Sequence, residues 1–242
     1  MPLTGLHALV TGGGSGIGRA TAAALTGAGA HVTILGRRET VLNQAVEAGD
    51  AASTLVADIT DEASLTSLPQ VQILVNAAGA AESAPFLKSD AALFERMWRV
   101  NVAGAVTVTR LALPAMIASR FGRVVNIAST ASLKGYRYVT AYTTAKHGLL
   151  GFTRALAQEV AGTGVTVNAV CPGFTDTDLI ADSVARIVAR SARSTEDVRA
   201  ELARANPLGR LIRPEEVAAT VLYLCQTEAV NGQALAVDGG ET

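Results

Sequence analysis

The sequence predicts an α/β protein: a single doubly wound domain of the Rossmann type, with about seven parallel strands and helices on both faces. Three observations carry that expectation. Short β-branched runs alternate with longer Ala-rich amphipathic stretches, the rhythm of βαβ units around a sheet buried on both faces. At 242 residues, 49% hydrophobic and 17% charged, the chain has enough apolar surface to offset the entropy of ordering it. No internal repeat, low-complexity run or Pro/Ser linker divides residues 1–242, so they read as one unit.

Strands are expected at His7–Thr11, His31–Leu35, Ser53–Ala57, Ile73–Asn76, Arg123–Ile127, Thr166–Val170 and Ala234–Val237. Helical patterning falls between them, at Gly16–Gly27, Arg38–Ala48, Ala91–Ser119, Thr140–Ala161 and Pro214–Gln226. The segment DEASLTSLPQ, between the third and fourth strands, leaves room for only a stub of helix. Residues 176–208 break the alternation. They are rich in Ala and Arg, follow a strand end and are too long for an ordinary connection, so they read as a substrate lid.

Composition excludes several classes. A net charge of -1 offers no field for nucleic acid or an anionic membrane. Cys171 and Cys225 lack the spacings of zinc or redox sites, which points to no metal and a reducing, cytoplasmic setting. The opening MPLTGLHALVTGGG has neither the charged start nor the apolar run of a secretory signal, and no stretch approaches the roughly 20 unbroken apolar residues of a membrane span.

The first strand runs straight into Gly12-Gly13-Gly14-Ser15-Gly16-Ile17-Gly18 and then into a helix. Glycines at such a turn let the backbone approach a pyrophosphate, whose charge is met by free N–H groups at the helix start. At the end of the second strand an NAD site places a carboxylate for the ribose 2′-hydroxyl; here Gly36, Arg37 and Arg38 follow instead. Two guanidinium groups suit a 2′-phosphate, which favours NADP(H) over NAD(H), the alternatives being that one or both solvate a helix start or that Arg37 stacks on adenine.

Tyr142 and Lys146 form YxxxK at the start of a helical stretch, where positions i and i+4 share a face. Ser129 stands thirteen residues before Tyr142 at the end of the strand VVNIA, and Asn101 lies upstream in RVNVAG. Together with the TGxxxGxG spacing of Gly12, Gly16 and Gly18, these motifs resemble the classical short-chain dehydrogenase/reductase family from about Leu6 to Gly240.

The resemblance implies an oxidoreductase that moves hydride between a nicotinamide and a ketone or secondary alcohol, with Asn101, Ser129, Tyr142 and Lys146 as its tetrad. Tyrosine, with a free pKa of about 10, is a poor base near neutrality. The ammonium of Lys146, with the charge of oxidised nicotinamide, is expected to draw Tyr142 toward working pH. Ser129 would hold the substrate oxygen, Lys146 would also grip the ribose, and Asn101 would anchor a proton-carrying water. Besides Gly12, Gly14, Ser15, Gly16, Ile17, Gly18, Arg37 and Arg38, the resemblance places Asp58 and Ile59 at the adenine. It sets Asn76-Ala77-Ala78-Gly79 at the family's NNAG motif, with Ala77 in place of the second Asn, and Pro172, Gly173, Thr175 and Thr177 at the carboxamide. Cys171 and His147 are read as packing residues. Such proteins form homotetramers or homodimers through their long central helices.

Substrate is less legible. The runs GRVVNIAST, TAKHGLLGFTRALAQE and TVNAVCPGF resemble 3-oxoacyl and polyketide reductases and 3-hydroxyacyl-CoA dehydrogenases. A dehydrogenase of cyclic or aromatic alcohols, and a nucleotide-sensing regulator without turnover, are the alternatives. Arg186, Arg190 and Arg193 recur at i, i+4 and i+7, and with Arg137 form either a face for a thioester's phosphates or a solvated one.

Overall fold

The computed structural model describes residues 1–189 and 191–242. Seven parallel strands form one sheet in the order β3-β2-β1-β4-β5-β6-β7. They are β1 (His7–Thr11), β2 (His31–Gly36), β3 (Ser53–Val56), β4 (Ile73–Asn76), β5 (Gly122–Ile127), β6 (Val165–Pro172) and β7 (Ala234–Val237). Apolar runs place β4, β5 and β6 at the centre, where every residue is buried. One face is covered by α1 (Gly16–Gly27), α2 (Glu39–Glu47) and α8 (Pro214–Gln226), whose Ala22, Leu25, Leu42, Ala45, Val217 and Val221 pack with Val10, Ile34 and Val75. The other face carries α3 (Ala91–Trp98), α4 (Gly104–Ala118) and α5 (Thr140–Glu159), with Val108, Ala112, Met116, Leu156 and Ala157 against Leu9, Leu74, Val124 and Val167.

Two elements depart from their sequence patterns, the long central helix and the lid, while the short segment after β3 is the stub expected. The single helix expected over Ala91–Ser119 is interrupted by a π-helical turn, Arg99–Ala103, that contains Asn101. The apolar period continues through it, so the pattern alone hides the extra residue. The stub after β3 is one 3₁₀ turn, Glu62–Leu65, started by Asp61. The lid folds into α6 (Asp178–Val188) and α7 (Thr195–Ala203), each with one buried residue, Val184 and Val198. Because α6 ends at Val188, Arg186 and Arg193 do not share a helical face, and Arg190 lies outside the described residues. Arg193 instead pairs with Glu201.

The helical run Ala91–Ala118 is long and apolar enough, by length and composition, to cross a membrane. Its buried side chains Val108, Ala112 and Met116 form a layer on the sheet. Strand order reverses between β1 and β4, where a crevice opens at the carboxyl ends of the strands. The turns that carry the predicted site residues leave the sheet there.

Candidate active site

A groove of about 850 Å³ runs along these carboxyl ends, lined at one end by the glycine turn and at the other by Ser129, Tyr142 and Lys146. The glycines are required by space. A Cβ on Gly12 would stand 2.9 Å from the Ala78 backbone, and one on Gly18 would overlap the Gly12 carbonyl oxygen. Gly12 and Gly16 also take positive φ, 67° and 52°. Helix α1 then begins without an acidic side chain in its first turn and without a side-chain cap from Ser15. Its first N–H groups and positive dipole end therefore face the groove with no acidic side chain from their own turn, an arrangement suited to a pyrophosphate.

Gly12, Gly14, Ser15, Gly16, Ile17, Gly18, Arg37, Arg38, Asp58, Ile59, Ala77, Ala78 and Gly79 line this end. Arg37 is 78% exposed and only loosely paired with Asp58 at 3.8 Å, so its guanidinium is available. Asp58 is held by the backbone N–H and hydroxyl of Thr60, at 2.9 and 2.8 Å. Burial opposes its charge, but these bonds and nearby Arg37 and Arg99 bring its pKa below the usual value.

Asn76 does not belong with them. It is buried in the sheet, where its amide donates to Thr109 and Asn126 at 3.0 and 2.8 Å, and it does not line the groove. Asn76 instead ties β4 to β5 and to α4. Ala77 and Ala78 hold their turn by donating backbone N–H groups to Thr11, both at 3.1 Å.

At the reacting end, β5 delivers Ser129, and the first turns of α5 present Tyr142 and Lys146. Lys146 is 5% exposed, donates to the Ile127 carbonyl at 2.9 Å and lies 5.7 Å from the centroid of the Tyr142 ring. Burial pulls its pKa down to about 8. Tyr142 moves the other way: desolvation raises its pKa, while a hydrogen bond from Ser129 opposes the rise. Burial thus disfavours the charged form of both side chains, and any depression of Tyr142 has to come from the charges of Lys146 and a bound oxidised nicotinamide together.

Asn101 sits in the π turn, 1% exposed, donating to the carbonyls of Ala80 and Met97 at 2.9 and 3.0 Å. Gly79 brings it to the site, since a Cβ there would stand 2.9 Å from Asn101 Oδ1 and 3.7 Å from Lys146 Nζ. Pro172, Gly173, Thr175 and Thr177 continue the groove from β6 into α6. Thr177 closes over the glycine turn, where a Cβ on Gly16 would lie 3.1 Å from its methyl group.

Cys171 is buried and its thiol is pushed up to about 11, as expected of a packing residue. His147 is not one: it is exposed, with Nδ1 3.0 Å from the Thr143 carbonyl, because its position on α5 faces away from the sheet. Tyr136, Tyr138 and Phe174 also line the groove and were not legible as site residues. Tyr136 and Tyr138 lie inside the Ser129–Tyr142 interval, which is the signal that points to them. Among the described residues, no group of three His, Cys, Asp or Glu side chains could hold a metal ion.

A family model described as short chain dehydrogenase matches residues 6–187. The chain is 36% identical over 253 residues to a 3-oxoacyl-(acyl-carrier-protein) reductase of Aquifex aeolicus, covering 98% of each. It is 38% identical over 249 residues to cis-4-hydroxycyclohexanecarboxylate dehydrogenase of Sinomonas cyclohexanicum, covering 97% of this chain and 96% of that protein. A solved actinorhodin polyketide ketoreductase variant with NADPH superposes with a TM-score of 0.90 at 35% identity, covering 98% of this chain and 97% of that one. The chain belongs to the short-chain dehydrogenase family. It is an oxidoreductase that interconverts ketones and secondary alcohols with a nicotinamide cofactor.

Proposed function

We propose that this enzyme is an NADP(H)-preferring reductase of 3-oxoacyl-type ketones, with Tyr142 as proton donor. The observation that carries the reading is the placement of Ser129, Tyr142 and Lys146 at one end of a groove whose other end is a glycine turn. The bound nicotinamide supplies or accepts hydride at the substrate carbon, chemistry that belongs to the cofactor. Ser129 orients the substrate oxygen beside Tyr142, which gives it a proton. Desolvation raises the Tyr142 pKa, which favours the protonated phenol that reduction requires. Lys146 holds the ribose and, below about pH 8, presents a positive charge beside the phenol. Asn101, next to Lys146 across Gly79, anchors the water that restores the proton.

Arg37 and Arg38 border the glycine end, and no carboxylate follows β2, which supports NADP(H). Free Cys171 and Cys225 support a reducing, cytoplasmic setting. Trp98 and Leu111, 47% and 40% exposed on α3 and α4, support assembly as a homotetramer or homodimer through the long helices. Tyr136, Tyr138 and Phe174 favour a second reading, a dehydrogenase of cyclic alcohols like the Sinomonas relative.

Oxidation of NADPH followed by absorbance, with acetoacetyl-CoA and 4-oxocyclohexanecarboxylate as substrates, separates the two. Preference for the thioester is expected. Tight NADPH binding without turnover of either ketone would move the reading to other ketones, and silence across a wide panel of ketones and thioesters would favour nucleotide sensing.

A further inference from the structure

We infer that Glu241, in the segment after β7, is a positioning residue that sets the substrate wall of the groove through Tyr136. The inference rests on the reading that the ketone sits between Ser129 and Tyr142.

That segment is folded inward and held. Asp238 accepts hydrogen bonds from the backbone N–H groups of Gly240 and Thr242, both at 2.9 Å, and from the Thr242 hydroxyl at 2.6 Å. The Glu241 side chain, 3% exposed, is thereby directed beneath the groove. Its Oε1 lies 2.7 Å from the Tyr136 hydroxyl and 3.2 Å from Lys134 Nζ. Lys134 also donates to the Glu241 backbone carbonyl at 3.1 Å and stands 5.2 Å over the Tyr136 ring.

The direction of the hydrogen-bond chain follows from chemistry. An ionised carboxylate only accepts, so Tyr136 donates its single proton to Glu241 and accepts from the Thr130 hydroxyl at 2.6 Å. Thr130 is the neighbour of Ser129. On the other side, the Tyr136 ring meets Phe174 edge-on at 6.0 Å. Among the described residues no group bonds the buried Glu241 Oε2, and a Cβ on Gly173 would lie 3.2 Å from it.

A buried carboxylate with one oxygen unpartnered is costly for stability alone. What it fixes is the orientation of Tyr136, and with it the wall formed by Tyr136 and Phe174 beside Ser129. Glu241 touches neither end of the groove itself and is absent from its lining. Its effect should therefore fall on how well a ketone fits.

The test uses whichever of acetoacetyl-CoA and 4-oxocyclohexanecarboxylate the wild type reduces, with Glu241→Ala, Glu241→Gln, Tyr136→Phe and the double variant Glu241→Ala/Tyr136→Phe. Glu241→Ala and Tyr136→Phe should each raise KM for the ketone about tenfold. Their kcat should stay within about twofold, and NADPH affinity, read by fluorescence, should not change. The double variant should be no worse than either single one, and Gln, which still accepts from the phenol, should recover most of the loss. An unchanged KM, multiplying losses in the double variant, or Gln as damaging as Ala would each overturn the proposal. If Glu241→Ala does not fold, a wild-type KM in Tyr136→Phe overturns it.

If the wild type reduces neither ketone, the functional reading fails for those substrates while the Glu241–Tyr136 link is still measured. Amide hydrogen exchange across residues 129–138 should quicken alike in Glu241→Ala and Tyr136→Phe, with residues 12–18 unchanged. No change there would refute the link.

Discussion

Tyr142 and Lys146 lie one helical turn apart on α5, and the same burial acts on them in opposite directions. Replacing Tyr142 by Phe keeps the ring that fills the site and deletes the proton. Turnover is expected to drop by about 10³-fold, with NADPH affinity within about threefold of wild type. Stopped-flow reduction and cofactor titration check both numbers, and near-normal turnover would remove Tyr142 from its role. Arg37→Ala tests cofactor choice: NADPH binding should weaken about tenfold and NADH binding hardly at all, as measured by fluorescence titration. An equal loss for both would mean that Arg37 serves the adenine or the fold. Most of this site was readable as spacing, because YxxxK on a helix and a serine at a strand end fix relative positions before any coordinates are known. Asn76 was not, since a side chain at a strand end faces either groove or sheet, and the register of β4 with β5, which sets Asn76 beside Asn126, decides which. His147 was misjudged for a similar reason: its departure from the Tyr142 face was legible, but not that the face it occupies is exposed.

The lid and the interrupted α3–α4 helix show what periodicity can and cannot give at the scale of elements. Amphipathic repetition marked residues 176–208 as partly helical but not the stop at Val188, which separates Arg186 from Arg193. Arg186 instead donates to the Ala81 carbonyl at 3.3 Å and to Ser183 at 3.1 Å, linking α6 to the loop that follows β4 across the groove. Arg199 ties α7 to Asp176 at the base of the lid, at 2.9 Å. Cutting the Arg186 link should loosen closure over the substrate. Arg186→Ala is expected to raise KM several-fold equally for acetoacetyl-CoA and for its N-acetylcysteamine thioester, because a latch does not distinguish their tails. A loss confined to the CoA thioester would assign Arg186 to the phosphates. The π turn at Arg99–Ala103 is a second device of this kind. One residue more per turn moves Asn101 toward Gly79, where its amide holds the Ala80 carbonyl.

Across the whole molecule, the parallel sheet and its seven strands were legible from alternation and the glycine turn marks β1, but the order β3-β2-β1-β4-β5-β6-β7 was not, since alternation leaves more than one arrangement open. What the sequence does not display is the cost of the site to the fold, and Lys146 makes that cost measurable. Its folded pKa of about 8 lies below the ordinary lysine value of 10.5. Between these values the unfolded chain binds a proton that the folded protein does not, so this group's contribution to stability rises with pH across that window. Below about pH 8 both states are protonated, and the folded state carries a penalty of about 3 kcal/mol, discounted by the hydrogen bond to Ile127 that the ammonium makes. Lys146→Met removes both. At pH 7 the variant should be inactive yet more stable than wild type by about 1–3 kcal/mol, and the difference should shrink as pH approaches 10. Urea unfolding of the two proteins at several pH values measures it, and taking the difference cancels titrations they share. A variant that is less stable at pH 7, or a gap that widens with pH, would mean that the ammonium is stabilised where it lies and that burial does not set its charge.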